Sequence, residues 1–347
     1  MRNLGKLAVL GITALGLALA GPQDNSLVIG ASQEPRVLAG DFLSVISNQA
    51  IKSEIEQYLF APFIGFNADS QNFPVLATEV PTLENGRLRV TDIGGGKKRL
   101  EMDITIRPDA KWSDGRPITT EDVAFYFEVG KAKGMPVLNP DFWERVNVRI
   151  KDARNFTLIF EPAYYYDTYG PINTYAPKHI MGPEWERVKA AARGLDPQKD
   201  AEKLNELYRN FFIKFSTPQA LNRGAMVYSG PFMLRRWVPG NSIEMVRNPN
   251  FPIKPEGGES KYVQKVVYRF IQNTNSLLVA VIGGSIDATS SVSLTFDQGR
   301  SPQLVRRAPG RFDIWFVPGA IWEHIDINKF ENCQVVKDLG LNDKRTR

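Results

Sequence analysis

The chain has 347 residues, 43 % of them hydrophobic and 23 % charged, with a formal net charge of +5. That length exceeds what one small core holds, so two lobes are expected. Lys and Arg are spread along the sequence among acids rather than gathered into a stripe, which argues against a nucleic-acid partner. The single Cys333 excludes an intramolecular disulfide framework.

The first twenty residues read as a unit of their own. Arg2 and Lys6 lead, residues 7–20 are predominantly apolar, and Ala18-Leu19-Ala20 before Gly21 gives the small-residue pattern of a cleavage site. This is the layout of a secretory signal peptide. The run is shorter than the about 20 apolar residues of a membrane span, and no cysteine near the cleavage site offers a lipid attachment point. The expectation is an exported, unlipidated protein starting at Gly21, periplasmic or extracellular.

Leu27-Val28-Ile29-Gly30 predicts a short strand, and Pro35 bars a helix at the residue before it. Residues 48–60 place Ile51, Ile55, Tyr58 and Leu59 on one helical face. Gly94-Gly95-Gly96 precedes a basic pair and a strand, so it reads as a tight turn rather than a phosphate cradle. Leu100, Met102, Ile104 and Ile106 alternate with polar residues, as a half-buried strand does. Trp112-Ser113-Asp114-Gly115 then makes a turn, and Thr119 with Asp122 resembles a capping box opening a helix with Val123, Phe127 and Gly130 inward. Val146, Val148 and Ile150 pair with Phe156, Leu158 and Phe160 as a hairpin. Residues 184–215 are helix-rich and charged, with Leu204, Leu207, Tyr208, Phe211 and Phe212 as the buried face. A second hairpin joins Phe232 and Leu234 to Ile243 and Met245 through Pro239-Gly240-Asn241. A strand over 263–271 follows, then a helix carrying Leu277, Leu278, Val281 and Ile282 that stops at Gly283-Gly284, and Ile286-Asp287-Ala288 re-enters a strand.

Reactive chemistry is sparse. His179 and His324 are the two histidines, and no zinc helix, nucleophile elbow or Gly-rich phosphate loop occurs. Glu121-Asp122 at a helix start suits the helix dipole better than acid–base work. Neither a catalytic residue, a metal nor a cofactor is expected.

Three segments, in this order and spacing, resemble the extracellular solute-binding proteins of the peptide/nickel ABC-transporter family, family 5. They are Trp112-Ser113-Asp114-Gly115-Arg116-Pro117-Ile118-Thr119-Thr120-Glu121-Asp122-Val123, then Ser229-Gly230-Pro231-Phe232 running to Arg247-Asn248-Pro249-Asn250-Phe251, then Gly283-Gly284-Ser285-Ile286-Asp287-Ala288. Pro177-Lys178-His179-Ile180 fits as well. The resemblance implies a mixed α/β (α+β) protein with a two-lobed periplasmic-binding-protein-like fold of type II. Residues 21–60 and 216–284 would form the core of the first lobe, 61–215 its inserted subdomain, and 285–347 the start of a second lobe.

Family members continue well past the equivalent of Arg347, so the second lobe is expected to be incomplete, with the sequence truncated at its C-terminal end. The implied function is capture of a peptide, held through its main chain, and delivery to an ABC permease in the membrane by a monomeric receptor that does no covalent chemistry. Gln33, Glu34, Ser290, Ser291 and Trp322 are the positions the resemblance places at the ligand. Three alternatives stay open. One is an oligosaccharide ligand stacked on Trp112, Trp143, Trp322 and tyrosines 164–166; another is a secreted glycoside hydrolase using two carboxylates; the third is a non-functional truncated fragment.

Overall fold

The computed structural model describes residues 25–316 except 68, 70, 165–166, 168–171, 255–256 and 259–261. Residues 1–24, Trp322, His324, Cys333 and residues 342–347 lie outside the described residues. In chain order the elements are β1 (Ser26–Ala31), α1 (Ala50–Leu59), β2 (Ile64–Phe66), β3 (Asn72–Pro74), β4 (Leu88–Gly94), β5 (Lys97–Thr105), α2 (Thr120–Gly130), α3 (Pro140–Arg145), β6 (Val146–Ile150) and β7 (Asn155–Phe160). They continue with α4 (Lys178–Ala192), α5 (Ala201–Ser216), α6 (Pro218–Asn222), β8 (Phe232–Val238), β9 (Ser242–Arg247), β10 (Lys265–Phe270), α7 (Thr274–Gly283), β11 (Ala288–Thr289), α8 (Phe296–Gly299) and α9 (Pro302–Val305). The described residues divide into two compact units, one ending at Gln298 and one beginning at Gly299.

The first unit holds two main sheets, and the mixed α/β class expected from the sequence is what they show. One sheet has the order β11-β1-β10-β9-β8, the other β4-β5-β7-β6. β1 lies between two parallel neighbours: Ile29 pairs with Tyr268 on one side and with Ala288 on the other. The connection from β10 through α7 to β11 crosses β1, and Leu277 and Ile286 pack on Val28. A Cβ on Gly30 would stand 2.5 Å from Ile286 Cδ1 and from Leu277 Cδ1, so those two side-chain tips lie directly on the glycine and would have to shift for any larger residue. Pairing of β11 with β1 carries the first sheet past residue 284.

Helix α2 sits between two cores. Val123 and Phe127 join the cluster on the second sheet, whereas Phe125 and Val129 join the cluster on the first. The inward stripe expected from Val123, Phe127 and Gly130 is therefore one of two buried faces, and each of these large side chains contributes about 2 kcal/mol by leaving water. The predicted capping box is present, with Thr119 and Asp122 bonding each other's backbone N–H groups. In β8 the expected alternation fails after Phe232. The register shifts between Leu234 and Arg236, which moves Trp237 to the buried face and leaves Leu234 half-buried. Leu207 is likewise only half-buried, because the inner face of α5 is drawn through Leu204, Tyr208, Phe211 and Phe212.

The sequence motifs meet in space. Ser113 N–H donates to the Tyr228 carbonyl at 2.7 Å, and Asn250 Nδ2 donates back to the Ser113 carbonyl at 3.0 Å. Asn248 Nδ2 donates to the Gly230 carbonyl at 2.9 Å, and the Gly230 N–H to the Leu59 carbonyl at 2.8 Å. A Cβ on Gly230 would stand 2.6 Å from the Tyr58 carbonyl oxygen and the Leu59 carbonyl carbon, backbone atoms that cannot turn aside.

The loop between β1 and α1 is held by charge. Asp41, wholly buried, accepts from the N–H groups of Val45, Ile46 and Ser47, and Lys52 Nζ lies 3.2 Å from Glu56 and 3.9 Å from Asp41. Lys52 is 2 % exposed, an exception to the apolar face expected of α1. Burial pushes the Glu56 carboxyl up to about 7 against the pull of Lys52, and pushes Asp41 up as well. A carboxyl whose folded value is raised binds its proton more tightly in the folded protein. Its ionisation therefore costs stability, with no cost below about pH 4.5 and the full cost above about 7.

Two outcomes follow for thermal or urea unfolding. Gly230→Ala should lose about 3 kcal/mol, at the upper end of overpacking because backbone must move. Wild-type stability should fall by roughly 2–3 kcal/mol as pH rises from 5 to 7.5, and Glu56→Gln should remove most of that fall. A flat wild-type profile would remove the assignment to Glu56.

Candidate functional site

In an open sheet with parallel strands, ligands settle beyond the carboxyl ends, where successive connections leave for opposite faces. β1 meets that condition. It exits toward α1, whose Ile51, Ile55 and Leu59 join one core, while β10 exits toward α7 on the other face.

Residues 32–34 continue β1 without regular secondary structure, and Pro35 holds Glu34 extended. Ser32 N–H donates to Ser293 Oγ at 3.2 Å, and Ser32 Oγ to the Val292 carbonyl at 3.3 Å. Glu34 spans to the β8–β9 turn, where its two carboxylate oxygens accept from Trp237 Nε1 and the Gly240 N–H, each at 2.8 Å. The exposed Gln33 between them makes no hydrogen bond among the described residues, through side chain or main chain, and the Glu34 N–H is likewise open.

On the far side of β1, Ser290 and Ser291 follow β11. The Ser290 N–H donates to the Gly30 carbonyl at 2.9 Å. Both hydroxyls donate to Glu54 Oε2, at 2.9 and 2.6 Å, and the Ser291 N–H donates to the same oxygen at 3.0 Å. Tyr268 OH donates to Glu54 Oε1 at 2.8 Å.

The structure thus brings Gln33, Glu34, Ser290 and Ser291 to one rim; Trp322 lies outside the described residues. The Glu34 carboxylate and the buried Ser290 hydroxyl are engaged within the protein, so what the rim leaves open is Gln33 and the adjoining main chain. Sequence reasoning missed Glu54, Ser32, Ser293 and Tyr268. Glu54 carries no motif, but the serines 290, 291 and 293 immediately after a strand are a signal of a hydrogen-bonded turn.

The sugar-stacking role expected of Trp112 is corrected, and Trp322 lies outside the described residues. Trp112 is fully buried, with Nε1 donating to Asp122 at 3.2 Å, and Trp143 packs against Tyr126, Phe127 and Phe142. Tyr164 lies under the Arg145 guanidinium, 4.0 Å from its ring centre. Tyr165 and Tyr166 lie outside the described residues.

A separate groove of ≈ 520 Å³ runs between α2 and α4. Its polar groups are paired: Lys178 with Glu121 at 3.1 Å, the His179 ring and Arg116 with Asp114 at 2.9 and 3.8 Å, and Lys189 with both Glu128 and Glu186. Asp122 at its base caps α2 and accepts from the Lys178 N–H, and burial raises its carboxyl. Those bonds serve the scaffold, so the rim, with open main-chain groups, is the better candidate. Among the described residues no cluster of His, Cys, Asp and Glu could hold a metal, and no helix is long and apolar enough to cross a membrane.

Comparisons with known proteins agree with this fold. The model of the bacterial extracellular solute-binding proteins, family 5 Middle, matches residues 97–328. A solved oligopeptide binding protein from Thermus thermophilus, complexed with a pentapeptide, is 98 % identical with a TM-score of 0.92, over 94 % of this chain and 55 % of that one. A probable ABC transporter-binding protein of Deinococcus radiodurans is 27 % identical over 203 residues, 56 % of this chain and 30 % of the relative. Oligopeptide-binding protein AppA of Bacillus subtilis is 23 % identical over 270 residues, 76 % of this chain and 40 % of the relative. The chain thus spans less than half the length of these two curated relatives. On the family match over most of its length, the chain belongs to the bacterial extracellular solute-binding proteins of family 5.

Proposed function

We propose that this chain supplies one wall of a peptide-binding site in the solute-capturing component of an ABC importer. The observation that carries the reading is the open main chain of Gln33 and the open N–H of Glu34, at the carboxyl end of a parallel strand, while the Glu34 carbonyl accepts from Gln49 Nε2. A peptide laid along residues 32–34 gains main-chain hydrogen bonds of the strand-addition type, which every peptide can make whatever its side chains. The 98 % identity to a protein solved with a pentapeptide supports that ligand class.

In this reading residues 21–60 and 216–284 build most of a first lobe, 61–215 its inserted subdomain and 285–347 the start of a second lobe, with β11 still paired into the first lobe's sheet. The leader exports the protein unlipidated, and a membrane permease takes the peptide from it. Gln33 faces the ligand directly, while Glu34, Ser290 and Ser291 shape the rim around it.

The test is calorimetric titration of residues 21–347 with an alanine pentapeptide and with the same peptide N-methylated at alternate amides. The unmodified peptide should bind at least about tenfold more tightly, the loss of one or two buried hydrogen bonds. Equal affinities, or no heat with either peptide, would contradict main-chain capture by this protein.

A further inference from the structure

Among the described residues, Glu54 is the side chain that bonds both the strand bearing Tyr268 and the turn bearing Ser290 and Ser291. Three donors converge on its Oε2, at 2.9, 3.0 and 2.6 Å, and a fourth reaches Oε1 at 2.8 Å. A carboxylate oxygen is an acceptor only, with room for several donors, so one side chain satisfies all four. The backbone beneath it is fixed, since Ile51 and Ile55 on either side in sequence are fully buried. The turn that Glu54 grips is in turn bonded to the strand end: Ser293 Oγ accepts from the Ser32 N–H at 3.2 Å and donates to the Gly30 carbonyl at 3.3 Å, and Val292 accepts from Ser32 Oγ. The hydrogen bonds therefore run without a break from Glu54 to the residue preceding Gln33.

We infer that Glu54 is a positioning residue for peptide capture: by gripping residues 290–291 it holds the main chain of residues 32–34 in place for a peptide to pair with. The inference rests on the strand-addition reading for its ligand but not for its mechanics. Glu54→Ala leaves four donors without their acceptor, one of them the buried Ser290 hydroxyl. Glu54→Gln keeps the geometry, because its amide oxygen can take the serine donors while Tyr268 OH rotates to accept from the amide nitrogen.

Amide hydrogen exchange and pentapeptide titration on residues 21–347 provide the test. In Glu54→Ala, exchange at residues 32–34 and 290–293 should quicken about tenfold while β8 and β9 stay protected, and pentapeptide affinity should drop about tenfold. Glu54→Gln should restore both. Ser291→Ala, a milder change that removes one of the three donors, should move the same amides about threefold. Faster exchange in Glu54→Ala confined to those residues, alongside a wild-type protein that binds no pentapeptide, supports the grip of Glu54 on residues 32–34 and removes the peptide reading. Unchanged exchange at residues 32–34 in both Glu54→Ala and Ser291→Ala would overturn the inference, as would a Glu54→Gln variant as loose as the alanine one.

Discussion

The rim depends on one pairing: β1, met first in the sequence, is flanked in parallel by strands that arrive more than two hundred residues later. Ser26 through Ala31 run in register with Lys265 through Phe270 on one side, and Ile29 and Gly30 with Ala288 and Thr289 on the other. Parallel neighbours put all three carboxyl ends on the same side of the sheet, so residues 32–34, Tyr268 and residues 290–293 come together. Neither neighbour could join β1 through a short turn. The crossover through α7 and the long excursion from α1 to β8 are the connections that parallel pairing requires. Gly30, with its close approach to Leu277 and Ile286, is where the tightness of this arrangement is written into a single residue.

Helix α1 organises both flanks of that rim. On one side Lys52 and Glu56 tie down the loop after β1, where Ala39 and Ser44 hold φ of 63° and 55°, a region that costs a side-chain-bearing residue on the order of 1–2 kcal/mol. Bonds such as Glu56 to the Ala39 N–H and Lys52 to the Asp41 carbonyl offset that strain. On the other side Glu54 grips the turn after β11. Two carboxylates two residues apart on one helix thus fix two loops that are distant in sequence. The same physics explains the motifs of the resemblance. Asn248, Asn250, Ser113 and Asp122 spend their polar groups on one another's backbone, which makes them signatures of the scaffold rather than of the ligand.

Much of this was legible in the residues. Alternation at 100–106, the paired runs at 146–160, the Thr119–Asp122 cap and the Gly283-Gly284 stop each report a local preference that the structure keeps, because local hydrogen bonding and tertiary burial agree there. What sequence could not show is where a pattern yields to its surroundings. The bulge in β8 reverses parity and brings in Trp237; Lys52 sits on a buried face because two carboxylates meet it; Trp112 is a core residue because Asp122 satisfies its N–H. The rim was half legible: Gln33, Glu34, Ser290 and Ser291 were placed by resemblance, and the structure brings them to one edge. Glu54 was hidden, since a glutamate at an otherwise ordinary helical position gains meaning only from donors on residues more than two hundred positions away.

The most direct measurement of the central claim is a crystal structure of residues 21–347 grown with a pentapeptide. The account expects peptide main chain paired along residues 32–34, with Glu54 still holding Ser290 and Ser291. Peptide density confined to the groove between α2 and α4, with residues 32–34 bare, would contradict it.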